Sequence, residues 1–169
     1  MIRAKTCFIA EGIVTDRDTD RISAFALLED VQAASYPLLT QKVAFFCLWG
    51  RTSADPQRVT CEFSITLNGR DIMRHGLDVD FQQYLHNRCV IRLDGFTLNE
   101  PGVVVFRLAI PGHDTAEWTL DVVRTASTST PRTVGPTGPS RIYDSGNVSI
   151  SVGGAGVPLF ALGEGPTWI

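Results

Sequence analysis

The stretch Val59-Thr60-Cys61-Glu62-Phe63-Ser64-Ile65-Thr66-Leu67-Asn68-Gly69 decides the fold class. Val59, Cys61, Phe63, Ile65 and Leu67 fall on one side of an extended chain and Thr60, Glu62, Ser64 and Thr66 on the other, so the pattern predicts a half-buried strand. Asn68-Gly69 tolerates the positive φ angles of a tight hairpin turn and ends it. Working outward, Lys42–Trp49 is apolar and aromatic, with Val43, Phe45, Cys47 and Trp49 available to one face, and is expected to be a central strand. Cys89, Ile91 and Leu93 alternate with Val90, Arg92 and Asp94 and predict another, kinked where Gly95 interrupts the run before Phe96 and Leu98.

The turn signals Pro101-Gly102 and Pro111-Gly112-His113-Asp114 bracket Val103–Ile110, where Val104, Phe106, Leu108 and Ile110 share a face. Trp118, Leu120 and Val122 then alternate with Glu117, Thr119 and Asp121, so these two segments read as a hairpin that closes the folded body near Arg124. Phe63, Phe106 and Trp118 are expected in the core. At the other end, Phe8–Val14 and Ile22–Leu28 read as antiparallel strands joined by a polar loop; a short helix over Ser23–Gln32 is the alternative, since Ala24, Leu27, Leu28 and Val31 also fit helical spacing. Phe81–Arg88 carries no decisive pattern.

Short strands separated by turns, with little helix between them, predict a mainly β fold, an antiparallel two-sheet sandwich of immunoglobulin-like or C2-like kind with an extended C-terminal tail. A small β-barrel is the alternative, because patterning alone does not distinguish a closed sheet from two packed ones. The expected organisation is a sandwich over 1–124, a Ser/Thr/Pro/Gly linker over 125–140 and a low-charge apolar tail over 141–169. Within the tail Ile142–Val152 has the alternation of a strand.

The chain has 169 residues, 44% of them hydrophobic and 20% charged, which suffices for a real core. A net charge of -3, spread without like-sign blocks, gives no footprint for nucleic acid. No window approaches about 18 uninterrupted apolar residues, so no transmembrane segment is expected. The N-terminal run is broken at Glu11 and lacks a cleavage-like site, which points to a cytoplasmic location. Cys7, Cys47, Cys61 and Cys89 are too far apart in sequence for a zinc knuckle or redox motif, and reduced, strand-buried thiols are favoured over bridges.

Asp16-x-Asp18-x-Asp20 is the most chemical-looking motif, because alternating aspartates in a loop can aim several oxygens at calcium. Arg21 stands where the turn glycine of a calcium loop belongs and Leu27 where its bidentate glutamate belongs, so Asp16, Asp18 and Asp20 are weak metal candidates and a solvated loop is favoured. His75, His86 and His113 stand singly. No Gly-x-Ser-x-Gly elbow is present, and Asp144-Ser145-Gly146 has no evident local base. Gly153-Gly154-Ala155-Gly156 opens into Val-Pro rather than a phosphate-binding helix. Asp78, Asp80, Glu100 and Glu117 are acids that usually solvate an outer face. No motif requires a cofactor, and no catalytic residue is expected.

Cys7-Phe-Ile-Ala-Glu-Gly-Ile-Val-Thr-Asp, followed by Arg21-Ile-Ser-Ala-Phe-Ala-Leu-Leu-Glu, resembles the opening of a small bacterial domain family of unknown function. The strand into Asn68-Gly69, the Glu100-Pro101-Gly102 turn and the strand Glu117-Trp-Thr-Leu-Asp-Val are similar in kind, so the resemblance spans about residues 5–124. It implies a β-sandwich and carries no activity. The expectation for function is a non-enzymatic structural or protein-interaction module. Its tail would dock on a protein partner or on another copy through Val157, Leu159, Phe160, Leu162, Trp168 and Ile169. A sandwich binding calcium, carbohydrate or a membrane surface is the alternative.

Overall fold

A computed structural model describes residues 1–125 and the backbone of 148–154 and 161–162. The described residues form strands and turns and no helix. The strands are β1 (Arg3–Thr15), β2 (Ile22–Leu27), β3 (Asp30–Ala33), β4 (Leu38–Leu39), β5 (Val43–Gly50), β6 (Arg58–Leu67), β7 (Arg70–Asp80), β8 (His86–Leu93), β9 (Thr97–Leu98), β10 (Gly102–Ala109), β11 (Thr115–Arg124), β12 (Val148–Gly154) and β13 (Ala161–Leu162).

One sheet has the order β13-β12-β8-β5-β1-β2 and the other β3-β11-β10-β6-β7, while β4 and β9 form a separate two-stranded ladder. Among the described residues each of the two main sheets ends in its own edge strands and no ladder joins them, so the sandwich is chosen over the barrel. The helical alternative for Ser23–Gln32 gives way to β2, which pairs antiparallel with β1, and then to β3. Among the described strands the pairing departs from antiparallel at one place. The chain leaves β2 at the edge of one sheet and enters the other as β3, running parallel to β11 with Val31 opposite Val122.

Asn68 and Gly69 both take positive φ, 51° and 78°, and turn β6 into β7 in the predicted hairpin. The predicted face of β6 supplies Cys61, Phe63, Ile65 and Leu67 to the core, and Phe63 lies 5.5 Å from Phe45 of the opposite sheet, ring centre to ring centre. Phe106 meets Phe96 edge-on at 5.8 Å. Trp118 departs from the core expectation. It shares the apolar phase of β11 but is half-buried, and its indole Nε1–H donates to the Leu28 carbonyl at 2.9 Å. A residue with a polar handle is best satisfied at such a margin, beside the chain crossing from β2 to β3.

The expected kink at Gly95 is instead a strand end. β8 stops at Leu93, and Phe96 is drawn away by Thr40, whose N–H and hydroxyl both donate to the Phe96 carbonyl, at 2.9 and 3.0 Å. The segment 81–85 is a turn in which the Phe81 N–H donates to Gln57 O and the Tyr84 N–H to Phe81 O. Arg51 reaches from the end of β5 to hold it, donating from Nε to Tyr84 O and from Nη2 to Gln82 O.

All four cysteines are free, as Cys47, Cys61 and Cys89 in the core and Cys7 half-buried. Cys7, Cys47 and Cys89 stand side by side across β1, β5 and β8. Burial raises the Cys7, Cys47 and Cys89 thiols above their ordinary range and pushes Cys61 up to about 12. A thiol with a pKa near 12 is thiolate in only about one molecule in ten thousand at pH 8. With a water-soluble aromatic disulfide reagent at pH 8, the native chain is therefore expected to release the signal of Cys7 alone, and slowly, whereas the chain in guanidinium releases all four. Rapid reaction of a second native thiol would mean that the β5–β8 core opens.

Candidate interaction site

The outer face of the six-stranded sheet is not bare. Ala10, Ile13, Ala44, Phe46 and Val90 form a second buried cluster there, with Phe8, Ile22 and Leu48 packed around it and the Phe8 and Phe46 rings stacked at 4.8 Å. Ala10 and Ile13 are three residues apart yet enter the same cluster, so the two-residue alternation of β1 slips between them. Opposite that slip, Ala26 of β2 takes a φ of 52°, a left-handed conformation uncommon for a residue with a side chain. The β1–β2 hairpin thus folds over the face of its own sheet. Ile13, opposite Ala24, turns toward Ala44 and Phe46.

Two arginines on the same outer face fasten this arm. Arg88 of β8 donates from Nη1 to both the carbonyl and the Oδ2 of Asp20 at 2.7 Å, and Arg92 donates from Nη2 to the Ile13 carbonyl at 3.3 Å. The Asp16–Asp20 loop is therefore a fastening. Asp16 Oδ1 accepts the N–H groups of Asp18 and Thr19 at 2.9 and 2.8 Å, and these hydrogen bonds, led by that of Thr19, hold its carboxyl below the ordinary range. Asp20 faces Arg88 while Asp16 caps its own turn, so the three aspartates do not converge on one point. Among the described residues no group of three His, Cys, Asp or Glu is placed to hold a metal ion.

The other candidate residues are also dispersed. His75 and His86 are exposed, and His113 accepts the Ile2 N–H at 3.3 Å. Asp78 accepts the Thr60 hydroxyl, Asp80 caps the Gln82 N–H, Glu100 accepts from Asn68 and Glu117 pairs with Arg107, each on its own strand or turn. Asp144-Ser145-Gly146 lies outside the described residues, as does all of the linker after Thr125.

What the arm leaves outward is apolar. Val14, Phe25 and Leu27 are 55–57% exposed, and β2 ends its sheet with no further strand beside it among the described residues. The run from Ile22 to Leu28 contains no charged residue and no proline. The sequence reading missed both the second cluster and this arm. A signal for the cluster was present, since Val43–Trp49 is apolar in both phases, the mark of a strand buried on two faces.

At the opposite edge, β12 pairs antiparallel with β8 from Val148 opposite Leu93 to Gly154 opposite Asn87. The predicted tail strand therefore lies on a sheet edge of its own chain. The backbone of Leu162 pairs with Ile150 in β13, while Val157, Leu159, Phe160, Trp168 and Ile169 lie outside the described residues. No described helix is long and apolar enough to cross a membrane. Compared with protein-family models, curated proteins and solved structures, the chain finds no match in any of the three.

Proposed function

We propose that this chain is a non-enzymatic structural and interaction module whose C-terminal tail docks by strand addition. The observation that carries this is the β8 edge. β8 is a central strand buried on both faces by Cys89, Ile91 and Leu93 on one side and Val90 on the other, and the strand beside it, Val148–Gly154, arrives from beyond residues 126–147. A buried strand with an open edge exposes unpaired N–H and C=O groups and is a template for an added strand. The long Ser/Thr/Pro/Gly connection lets that strand come from the same chain or from another copy. After Asp144 the tail carries a single side-chain charge, Glu164, so Val157, Leu159, Phe160, Leu162, Trp168 and Ile169 supply apolar anchors beyond the paired strand. Burying each yields about 1.5 to 3 kcal/mol before the cost of ordering.

The test is complementation in trans. A chain ending at Arg124 is expected to bind a fluorescein-labelled peptide spanning residues 147–169, read as a rise in anisotropy that the same peptide carrying Ile150→Pro does not give. Proline removes an N–H from the ladder. Equal anisotropy for both peptides, or none for either with a folded body, would reject strand addition.

A further inference from the structure

From the row of thiols across β1, β5 and β8 we propose that Cys7 and Cys47 are a dithiol that hydrogen peroxide closes, reversibly, into a disulfide. Cys47 stands directly opposite Cys7 on one side and Cys89 on the other. In an antiparallel ladder a residue turns its N–H and C=O to the same neighbour, so one of these pairs is hydrogen-bonded and the other is the narrow, non-hydrogen-bonded kind. The β1–β2 hairpin decides which. The Leu28 N–H donates to the Ile9 carbonyl at 3.0 Å, so Ile9 faces β2 and not β5. Carbonyl directions alternate along a strand, and the β1–β5 register runs unbroken from Thr6 to Ala10, so Cys7 also turns its backbone away from β5. Cys7–Cys47 is therefore the narrow pair and Cys47–Cys89 the wide one.

A narrow pair brings its Cβ atoms toward about 4.5 Å, the upper end of the about 3.5 to 4.5 Å that a disulfide accepts, and a hydrogen-bonded pair holds them farther apart. Both side chains lie on the inner face, Cys7 packed against the core cluster that contains Cys47. Cys7 is half-buried and the other three thiols are buried, so a small oxidant reaches Cys7 first. Its Sγ attacks one peroxide oxygen, the O–O bond breaks, and the second oxygen leaves as water with the thiol proton. Cys7 is then a sulfenic acid. Cys47 Sγ attacks the oxidised sulfur, the S–O bond breaks, and the hydroxyl leaves as a second water with the Cys47 proton. Two thiols give up two electrons and one hydrogen peroxide becomes two waters. The hydrogen bond that Cys7 Sγ donates to the Glu117 carbonyl, at 3.1 Å, ends when the proton is lost, which frees the sulfur to turn toward β5. Burial holds both thiols above their ordinary range, so closure is slow. An aromatic mixed disulfide keeps the Cys7 sulfur outward by its ring, whereas a sulfenic acid adds one oxygen and leaves it free to turn inward. The link ties β1 to β5 around residues 8–46, which hold the whole arm and its crossing to β3, and it involves no residue of the tail.

Peptide mapping tests this, because trypsin leaves each cysteine on its own peptide. The reduced full chain is held overnight with millimolar hydrogen peroxide, then alkylated in guanidinium. It is expected to lose the mass of two hydrogens and to join the Cys7 peptide to the Cys47 peptide, with Cys61 and Cys89 alkylated. Dithiothreitol is expected to return four free thiols. Cys47→Ala is expected to lose the link and to leave a Cys7 sulfenic acid that dimedone captures. Cys89→Ala removes an equally buried thiol and is expected to keep the link. The map of the natural chain depends on no variant, so a variant that fails to fold leaves the test intact. A link between Cys47 and Cys89, or between two chains, overturns the inference. So does a natural chain that keeps four thiols, or one that carries Cys7 on to the sulfinic acid while Cys47 is still free.

Discussion

Phe106→Ala is expected to destabilise the sandwich by about 3 to 5 kcal/mol, the range for removing a fully buried phenylalanine. Phe106 has no exposed surface and lies at the centre of β10, with Ile65 of β6 on one side and Trp118 of β11 on the other. Its ring also meets Phe96, which the Thr40 clamp holds under the end of the sandwich. These neighbours are fixed by backbone ladders on both flanks, so the space left by the ring cannot close by a small side-chain shift, and the cavity adds to the lost transfer energy. The measurement is denaturant unfolding, with a lower midpoint and an unchanged slope. Phe25→Ala is the matched comparison at low protein concentration. That ring is 57% exposed, and its removal from the monomer is expected to change stability by less than about 0.5 kcal/mol. Similar losses for the two variants would mean that the inward face of β10 or the outward face of the arm is misassigned.

The contrast between those two phenylalanines marks how far the sequence could be read. In β6 the polar phase Thr60, Glu62, Ser64 and Thr66 separates the two faces by period two alone, whereas in β10 Arg107, with the turns at both ends, marks the phase opposite Phe106. Asn68-Gly69 likewise announces its turn because few residues accept positive φ twice in succession. Phe25 belongs to a segment where Ile22, Ala24, Phe25, Ala26, Leu27 and Leu28 offer apolar residues in both phases and at helical spacing, so neither face nor element type is written locally. What decides it is a distant event, the folding of the arm over β5 and β8 and its fastening by Arg88 and Arg92. The role of the aspartate loop is unwritten locally for the same reason. Its spacing suits a cation, but the charge that engages Asp20 comes from a strand 68 residues away. No spacing rule within the loop contains that arginine. The parallel entry of β3 is similarly invisible, because a four-residue strand carries no sign of its direction.

Gly95→Ala is the second substitution with a large expected cost, about 2 to 5 kcal/mol, although it adds only a methyl group. Gly95 takes a φ of 125°, a conformation that side-chain-bearing residues rarely adopt, and a Cβ there would stand 2.6 Å from the Thr40 carbonyl oxygen. The first feature costs about 1 to 3 kcal/mol as backbone strain, and the second adds a comparable overpacking term. The obstructing atom is backbone, so a rotamer change gives no relief. Thr40 is also the residue whose hydroxyl accepts the Phe96 N–H at 2.9 Å and whose own N–H donates back to the Phe96 carbonyl at 2.9 Å. Displacing it loosens the seat of Phe96, and Phe96 in turn loses its edge-on contact with Phe106. The strain at one turn is thereby carried into the core. Thermal and denaturant unfolding of Gly95→Ala, Thr40→Ala and the double variant separate the contributions. If the clash acts through this clamp, the two substitutions are less than additive, because breaking the clamp first frees Thr40 to yield to the new methyl group. Full additivity would place the cost of the alanine in its φ angle alone, and a cost below about 1 kcal/mol would mean that the chain at Gly95 follows a different path.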